Sequence, residues 1–225
     1  MRRGEWRGLR WKHHLGRIAT TVEARTSYKR RFRLREFYDA AVLLPQAAAV
    51  LVANRLRRVM DPRAIERVML AVTEVNGCPA CSWAHTRMAL REGMSGEEIS
   101  GLLAGDGEVV PPDEATGVVF AQHYADSRAR PDRAAYEAVV REYGRRRART
   151  VLAAAHVMLV GNMYGIPYSA FMARLSGTPY RDSSLGYEVG MQVAGALALP
   201  VALVHGLVRW AAGRPAVRFA ADEAG

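Results

Sequence analysis

The chain is short of several features that would point to common protein classes. It has only two cysteines in 225 residues, too few for a disulfide framework. Aromatic residues are 8% of the total, and alternating β-branched runs, the mark of half-buried strands, are scarce. No apolar run follows the N-terminal charges as it would in a secretory signal. The expected compartment is therefore the reducing cytoplasm, where a close cysteine pair is more often catalytic or metal-binding than structural. Charge is missing altogether from Val189 to Val208. That stretch is long enough to span a bilayer, and Arg209-Trp210 follow it as an interfacial anchor would. However, it is rich in Ala and Gly, holds Gln192 and His205, and is split by Pro200. A buried or subunit-interface helix is the expected reading, with a peripheral membrane contact as the alternative.

What is abundant is Ala, Arg, Leu and Val, and these favour helix. The net charge of +10 is unevenly placed: Met1 to Glu36 carries twelve Lys/Arg against three Glu, a net of +9. This divides the chain into a basic arm at 1–36, a helical domain at 37–180 with its core of interest at 57–103, and an apolar helix with a tail at 181–225. A basic arm suits an anionic membrane or nucleic acid. The expected reading is the plainer one, a solvated extension on a neutral domain.

Helix signals recur along the domain. A helical region covers 37–60, with Pro45 starting or kinking a helix. Asp61 can cap the next helix, with Pro62 at its first position. Ile65, Val68, Met69, Val72 and Val75 then follow at helical spacing. Asn76-Gly77 ends that helix, and another begins at Cys78-Pro79 and runs to Glu92. Ser95-Gly96-Glu97-Glu98 reads as a capping box. Further helices are expected at 113–127, 132–143 and 146–159, with a break over 161–167 and a resumption at 168–175. The segment 63–88, shifted by 84 residues, overlays 147–172. This faint echo reads as a duplicated helical hairpin, with Asn162, Gly165 and Ser169 where Cys78, Cys81 and His85 stand.

The informative stretch is Glu66 to His85, ERVMLAVTEVNGCPACSWAH. Cys78 and Cys81 lie one helical turn apart at a helix start. There the unpaired N–H groups and the helix dipole favour thiolate. His85 lies four residues beyond Cys81 and shares its face, so its imidazole can exchange a proton with a thiol. If the two helices fold back antiparallel at Gly77, Glu66 and His85 differ in height by roughly 4.5 Å. Glu66 could then orient His85 and raise its basicity. Glu74 is the rival acid, nearer the thiols but on another face. A zinc site would need Cys78, Cys81, His85 and one further ligand, since no second cysteine pair exists. Metal and cofactor are both expected to be absent. Trp83 and Met88 are candidates to line a substrate pocket, or else core or interface residues.

The pattern Glu66-x11-Cys78-x2-Cys81-x3-His85, with the flanking AVTEVNGCPAC and REGMSGEEI, resembles the AhpD-like branch of the carboxymuconolactone decarboxylase family over about 57–103. The resemblance implies an all-α, AhpD-like helical fold and a homo-oligomer. It implies a thiol-dependent hydroperoxide reductase or disulfide reductase, with a hydroperoxide as substrate and a dithiol reductant such as a lipoyl protein. Carried over by position, Cys81 would be the attacking thiolate, Cys78 the resolving thiol, His85 the proton carrier and Glu66 the start of the relay. AhpD itself has a further His before the second Cys, where this chain has Ala80. The decarboxylase members generally lack the cysteine pair, so a lyase is the alternative implied by the family alone. A non-enzymatic redox-sensing or membrane-surface module is the alternative suggested by the arm.

Overall fold

The computed structural model of the chain describes residues 26–220. Most of the basic arm, residues 1–25, lies outside them. Among the described residues there are eight α-helices, one short 3₁₀ turn and no strand. The expected all-α class is the one found.

The first helices are α1 (Leu34–Ala41) and α2 (Leu44–Arg57). Next come α3 (Pro62–Asn76) and α4 (Pro79–Arg91), the hairpin that carries the motif. The Asp61 carboxylate accepts from Arg63 N, and Gly77 closes α3 in the left-handed region (φ 67°). That conformation is strained for any residue with a Cβ. Helix α5 (Gly96–Ala104) is capped by the Ser95 hydroxyl, which accepts from Glu98 N. Helix α6 (Ala115–Asp126) packs on α3 and on α7 (Arg133–Leu175). The last helix is α8 (Leu185–Ala211).

Two expectations about α7 and α8 are corrected. The break expected over 161–167 is absent: the one non-helical residue inside α7 is Gly144 (φ 74°, ψ 159°), and the chain is helical from there to Leu175. Proline needs only a φ that helix already supplies, and it forfeits one hydrogen bond. Burial of Asn162, Met163, Ile166, Pro167 and Ala170 holds the segment straight through. Residues 147–172 are therefore one rod, not a second hairpin. Pro200 likewise does not divide α8. Nor is α8 a buried helix in the single chain, since Val193, Leu197, Val201 and Val208 are more than half exposed.

Residues 26–33, counted with the arm on charge, run as a strap across the body. The Thr26 carbonyl accepts from Arg181 N, and the Tyr28 hydroxyl meets Ser183 Oγ at 2.6 Å. Lys29 Nζ donates to both the carbonyl and the carboxylate of Glu74. Arg30 donates to the Ala125 and Asp126 carbonyls at the end of α6 and to the Asp126 carboxylate. Phe32 is buried in the core.

The core centres on α3 and α7. At its heart His156 is fully enclosed, with Nε2 3.0 Å from the Ala40 carbonyl and Nδ1 2.7 Å from the Tyr124 hydroxyl. A carbonyl only accepts, so Nε2 carries the proton and Nδ1 accepts from Tyr124. Burial lowers the His156 pKa from 6.5 to about 4, against the opposing pull of the Ala40 carbonyl. The folded value lies below the unfolded one, so the unfolded chain takes up the proton first as pH falls. The stability from a neutral His156 is thus fully present above pH 6.5 and is lost between there and about pH 4. We expect about 3 kcal/mol to go in that window. Urea midpoints against pH check this when wild type is compared with His156→Asn, because carboxylate titration is common to both. Parallel curves for the two proteins would refute it.

Candidate functional site

Cys78 caps α4, and Pro79, which lacks an N–H, fills the first helical position. The remaining first-turn donors are taken. Cys81 N–H points to Cys78 Sγ at 3.3 Å, and Ala80 N–H donates to Ser169 Oγ at 3.1 Å. The two cysteines are joined as a disulfide, with Cα atoms 5.3 Å apart. The sulfurs differ in access: Cys78 is 0% exposed and Cys81 9%. A molecule arriving from solvent therefore meets Cys81 first.

Helix α4 folds back on α3 at Gly77, and this brings Glu66 and His85 together. Glu66 Oε2 lies 2.8 Å from His85 Nδ1, and both side chains are largely enclosed. With a carboxylate as the acceptor, Nδ1 carries the proton and Nε2 is left as the basic nitrogen. The rival acid is occupied elsewhere: the Glu74 carboxylate is 2.6 Å from Lys29 Nζ. Among the described residues no group of three or more His, Cys, Asp or Glu is placed to hold a metal ion.

A cavity of about 1130 Å³ opens beside this pair. Glu66 and His85 line it, with Ile65, Val68, Met69, Met88 and Met158 supplying apolar wall. Gly161, whose carbonyl oxygen is 3.7 Å from Cys81 Sγ, also lines it and carries the cavity toward the sulfur. Of the two residues suggested as pocket walls, Met88 takes that place. Trp83 does not line the cavity: it is 61% exposed and stacks with the Arg87 guanidinium at 4.8 Å.

Sequence reasoning missed the opposite wall of the site, which α7 provides. A Cβ on Gly165 would stand 2.7 Å from Cys81 Sγ and 2.8 Å from Cys78 Sγ, so only glycine lets α7 lie this close. One turn on, the Ser169 hydroxyl donates to the Gly165 carbonyl at 2.7 Å while accepting from Ala80. The internal echo had placed Gly165 and Ser169 opposite Cys81 and His85 in a second copy. In the fold they are the surface on which the first copy rests. Below them Asn162 donates to Thr73, and the Asn76 side chain, just before the disulfide, is buried without a partner among the described residues.

No curated protein and no solved structure matches the chain. Residues 43–110, which hold Glu66, Cys78, Cys81 and His85, match the family model described as the carboxymuconolactone decarboxylase family, and the AhpD-like proteins that the motif resembles fall within it.

Proposed function

We propose that the protein is a thiol-dependent hydroperoxide reductase working through Cys81 and Cys78. The observation that carries this is the Glu66–His85 pair at 2.8 Å, on the same helical hairpin as a redox-active spacing of cysteines. Family membership of residues 43–110 supports an AhpD-like or decarboxylase-type activity. The cysteine pair favours the first of these, since a lyase reaction needs no thiols.

In the reduced protein, His85 Nε2 takes the Cys81 proton, helped by Glu66 on the far side of the ring. The thiolate attacks the outer oxygen of R–O–O–H, and the O–O bond breaks. Cys81 becomes a sulfenic acid and RO⁻ leaves, taking the proton from His85 to become ROH. Cys78 then attacks Cys81 Sγ, and the expelled hydroxide leaves as water with the Cys78 proton. The disulfide is the product. An external dithiol reduces it by exchange, attacking the more exposed Cys81 sulfur. The net change is ROOH and two thiols to ROH, water and one disulfide. A disulfide substrate would be reduced by the same dithiol through exchange, giving two substrate thiols and the same Cys78–Cys81 disulfide.

The test is a count of free thiols after a stoichiometric organic hydroperoxide is added to the reduced protein. Wild type is expected to lose both thiols rapidly, and Cys81→Ser to keep its remaining one. Thiols that persist in wild type, or peroxide turnover that continues in Cys81→Ser, would overturn the reading.

A further inference from the structure

Helix α8 has two unlike faces. One is packed along its length: Gly195 meets Tyr164 and Phe37, Gly206 meets the Val42 carbonyl and Pro45, and the His205 ring meets the Tyr38 hydroxyl. The other carries Leu185, Val189, Val193, Leu197, Val201 and Val208, between 39% and 71% exposed. Their spacing of four, closing with seven, makes a single stripe. It is about 35 Å long at the helical rise. The helix contains an eighteen-residue window of mean hydropathy 1.8, of which 22% is buried. Scattered apolar residues on a surface are ordinary, but a continuous stripe marks an interaction face.

Among the described residues, cations gather at the C-terminal end of this stripe. At its C-terminal end Trp210 closes a cavity of about 500 Å³ between α2 and α7. Arg57, Arg145, Arg146 and Arg149 line that cavity, and no Asp or Glu does. None of the four forms a salt bridge among the described residues. The adjoining Arg209 has its Nε enclosed without a hydrogen-bond partner among the described residues. At the N-terminal end the bond from Arg181 to Thr26 fixes where residues 1–25 join the body, four positions before α8 begins. Those residues hold seven Lys/Arg, two Glu, Trp6 and Trp11.

We propose that α8 docks the protein in the plane of an anionic membrane. Its exposed face enters the boundary between headgroups and acyl chains, and the arginine-lined cavity beside Trp210 takes the phosphate of an anionic lipid headgroup. An amphipathic helix with cationic flanks and an aromatic at its end is suited to that boundary. The packed face excludes a simple span, which would draw the charged residues Arg35, Glu36, Asp39 and Arg55 of α1 and α2 into hydrocarbon. A second copy is a poorer occupant. Pairing two α8 stripes in parallel sets their arginine-lined ends against each other, and pairing in either direction brings those cations no counter-charge, which an anionic surface supplies.

The experiment is co-sedimentation of the full chain with phosphatidylcholine vesicles, with and without phosphatidylglycerol. Binding is expected only where phosphatidylglycerol is present. It should fall by about thirtyfold in Arg145→Gln/Arg149→Gln, two cations near an anionic surface, and be lost in Val193→Glu/Val201→Glu. All four positions are exposed, and an unchanged far-UV spectrum would show that the fold is kept. Four results would overturn the proposal. The first is no preference for phosphatidylglycerol. The second is binding that survives the α8 changes but vanishes on deletion of residues 1–25. The third is indifference to vesicles with a dimer that Val193→Glu/Val201→Glu dissociates. The last is capture of a short RNA duplex in place of vesicles.

Discussion

Replacing His85 by alanine is expected to slow hydroperoxide oxidation of the Cys78–Cys81 dithiol by about 10²- to 10⁴-fold, the usual worth of a positioned proton carrier. In the reaction proposed above, His85 acts twice on one proton, taking it from Cys81 and giving it to the departing alkoxide. The side chain is mostly enclosed and held by Glu66 at 2.8 Å. Glu66→Gln is expected to cost less. Its amide oxygen can still accept from Nδ1 and hold the ring in the same orientation. The decisive readout is chemical rescue: the adjoining cavity of about 1130 Å³ admits free imidazole. Imidazole should restore part of the rate in His85→Ala and none in Cys81→Ser. A rate unchanged by His85→Ala, or a loss that imidazole does not relieve, would leave the histidine a packing residue only.

Gly165→Ala is the second substitution with a large expected effect. The added methyl would sit 2.7 and 2.8 Å from the two sulfurs, well inside contact distance. Neither sulfur is the far end of a flexible chain. Cys78 caps α4 and is bonded to Cys81, so relief requires α4 and α7 to part. Overpacking of this kind costs about 1–3 kcal/mol. For a chain of this size, each kcal/mol is roughly 2–4 °C of melting temperature. Gly161→Ala is the matched control on the same face of the same helix. A Cβ there meets only Met158 Cε at 3.9 Å, and stability should hold or rise slightly. Equal melting temperatures for the two variants would show that the close approach at Gly165 is not required.

The residues that met in space were those whose separation could be counted along the chain. Asp61-Pro62, Asn76-Gly77 and Cys78-Pro79 marked the ends of α3 and α4 through local chemistry. With the turn fixed at Gly77, arithmetic on helical rise paired Glu66 with His85. Glu74 remained open as a rival because its partner, Lys29, lies 45 residues away. What holds the Glu74 carboxylate is a contact no local pattern carries. The same limit explains Gly161 to Pro167. Gly and Pro do interrupt helices when nothing else acts, but here both flanks are buried against α3 and α4, and packing overrides propensity. Gly165 and Ser169 were visible as letters, yet their role as the floor beneath the sulfurs depends on how α7 crosses α4. Exposure of the α8 stripe was equally illegible, because an uncharged run reads alike whether it is covered or bare.

The strap at 26–33 changes how the charge of the N-terminal region should be counted. Lys29 and Arg30 are committed to Glu74, to the carbonyls ending α6 and to Asp126. Arg31 lies over the rings of Tyr28 and Tyr187. These cations are part of the masonry of the domain and are not free to exchange partners with an anionic surface. With those three cations set aside, the net charge that residues 1–36 offer to long-range attraction falls from +9 to +6. At about 1 kcal/mol per cation near such a surface, that difference sets a lower ceiling on any electrostatic tether and a gentler decline with ionic strength. It also bears on where a shortened chain can begin: a cut after residue 25 keeps every strap contact described above, whereas one after residue 36 takes Phe32 out of the core.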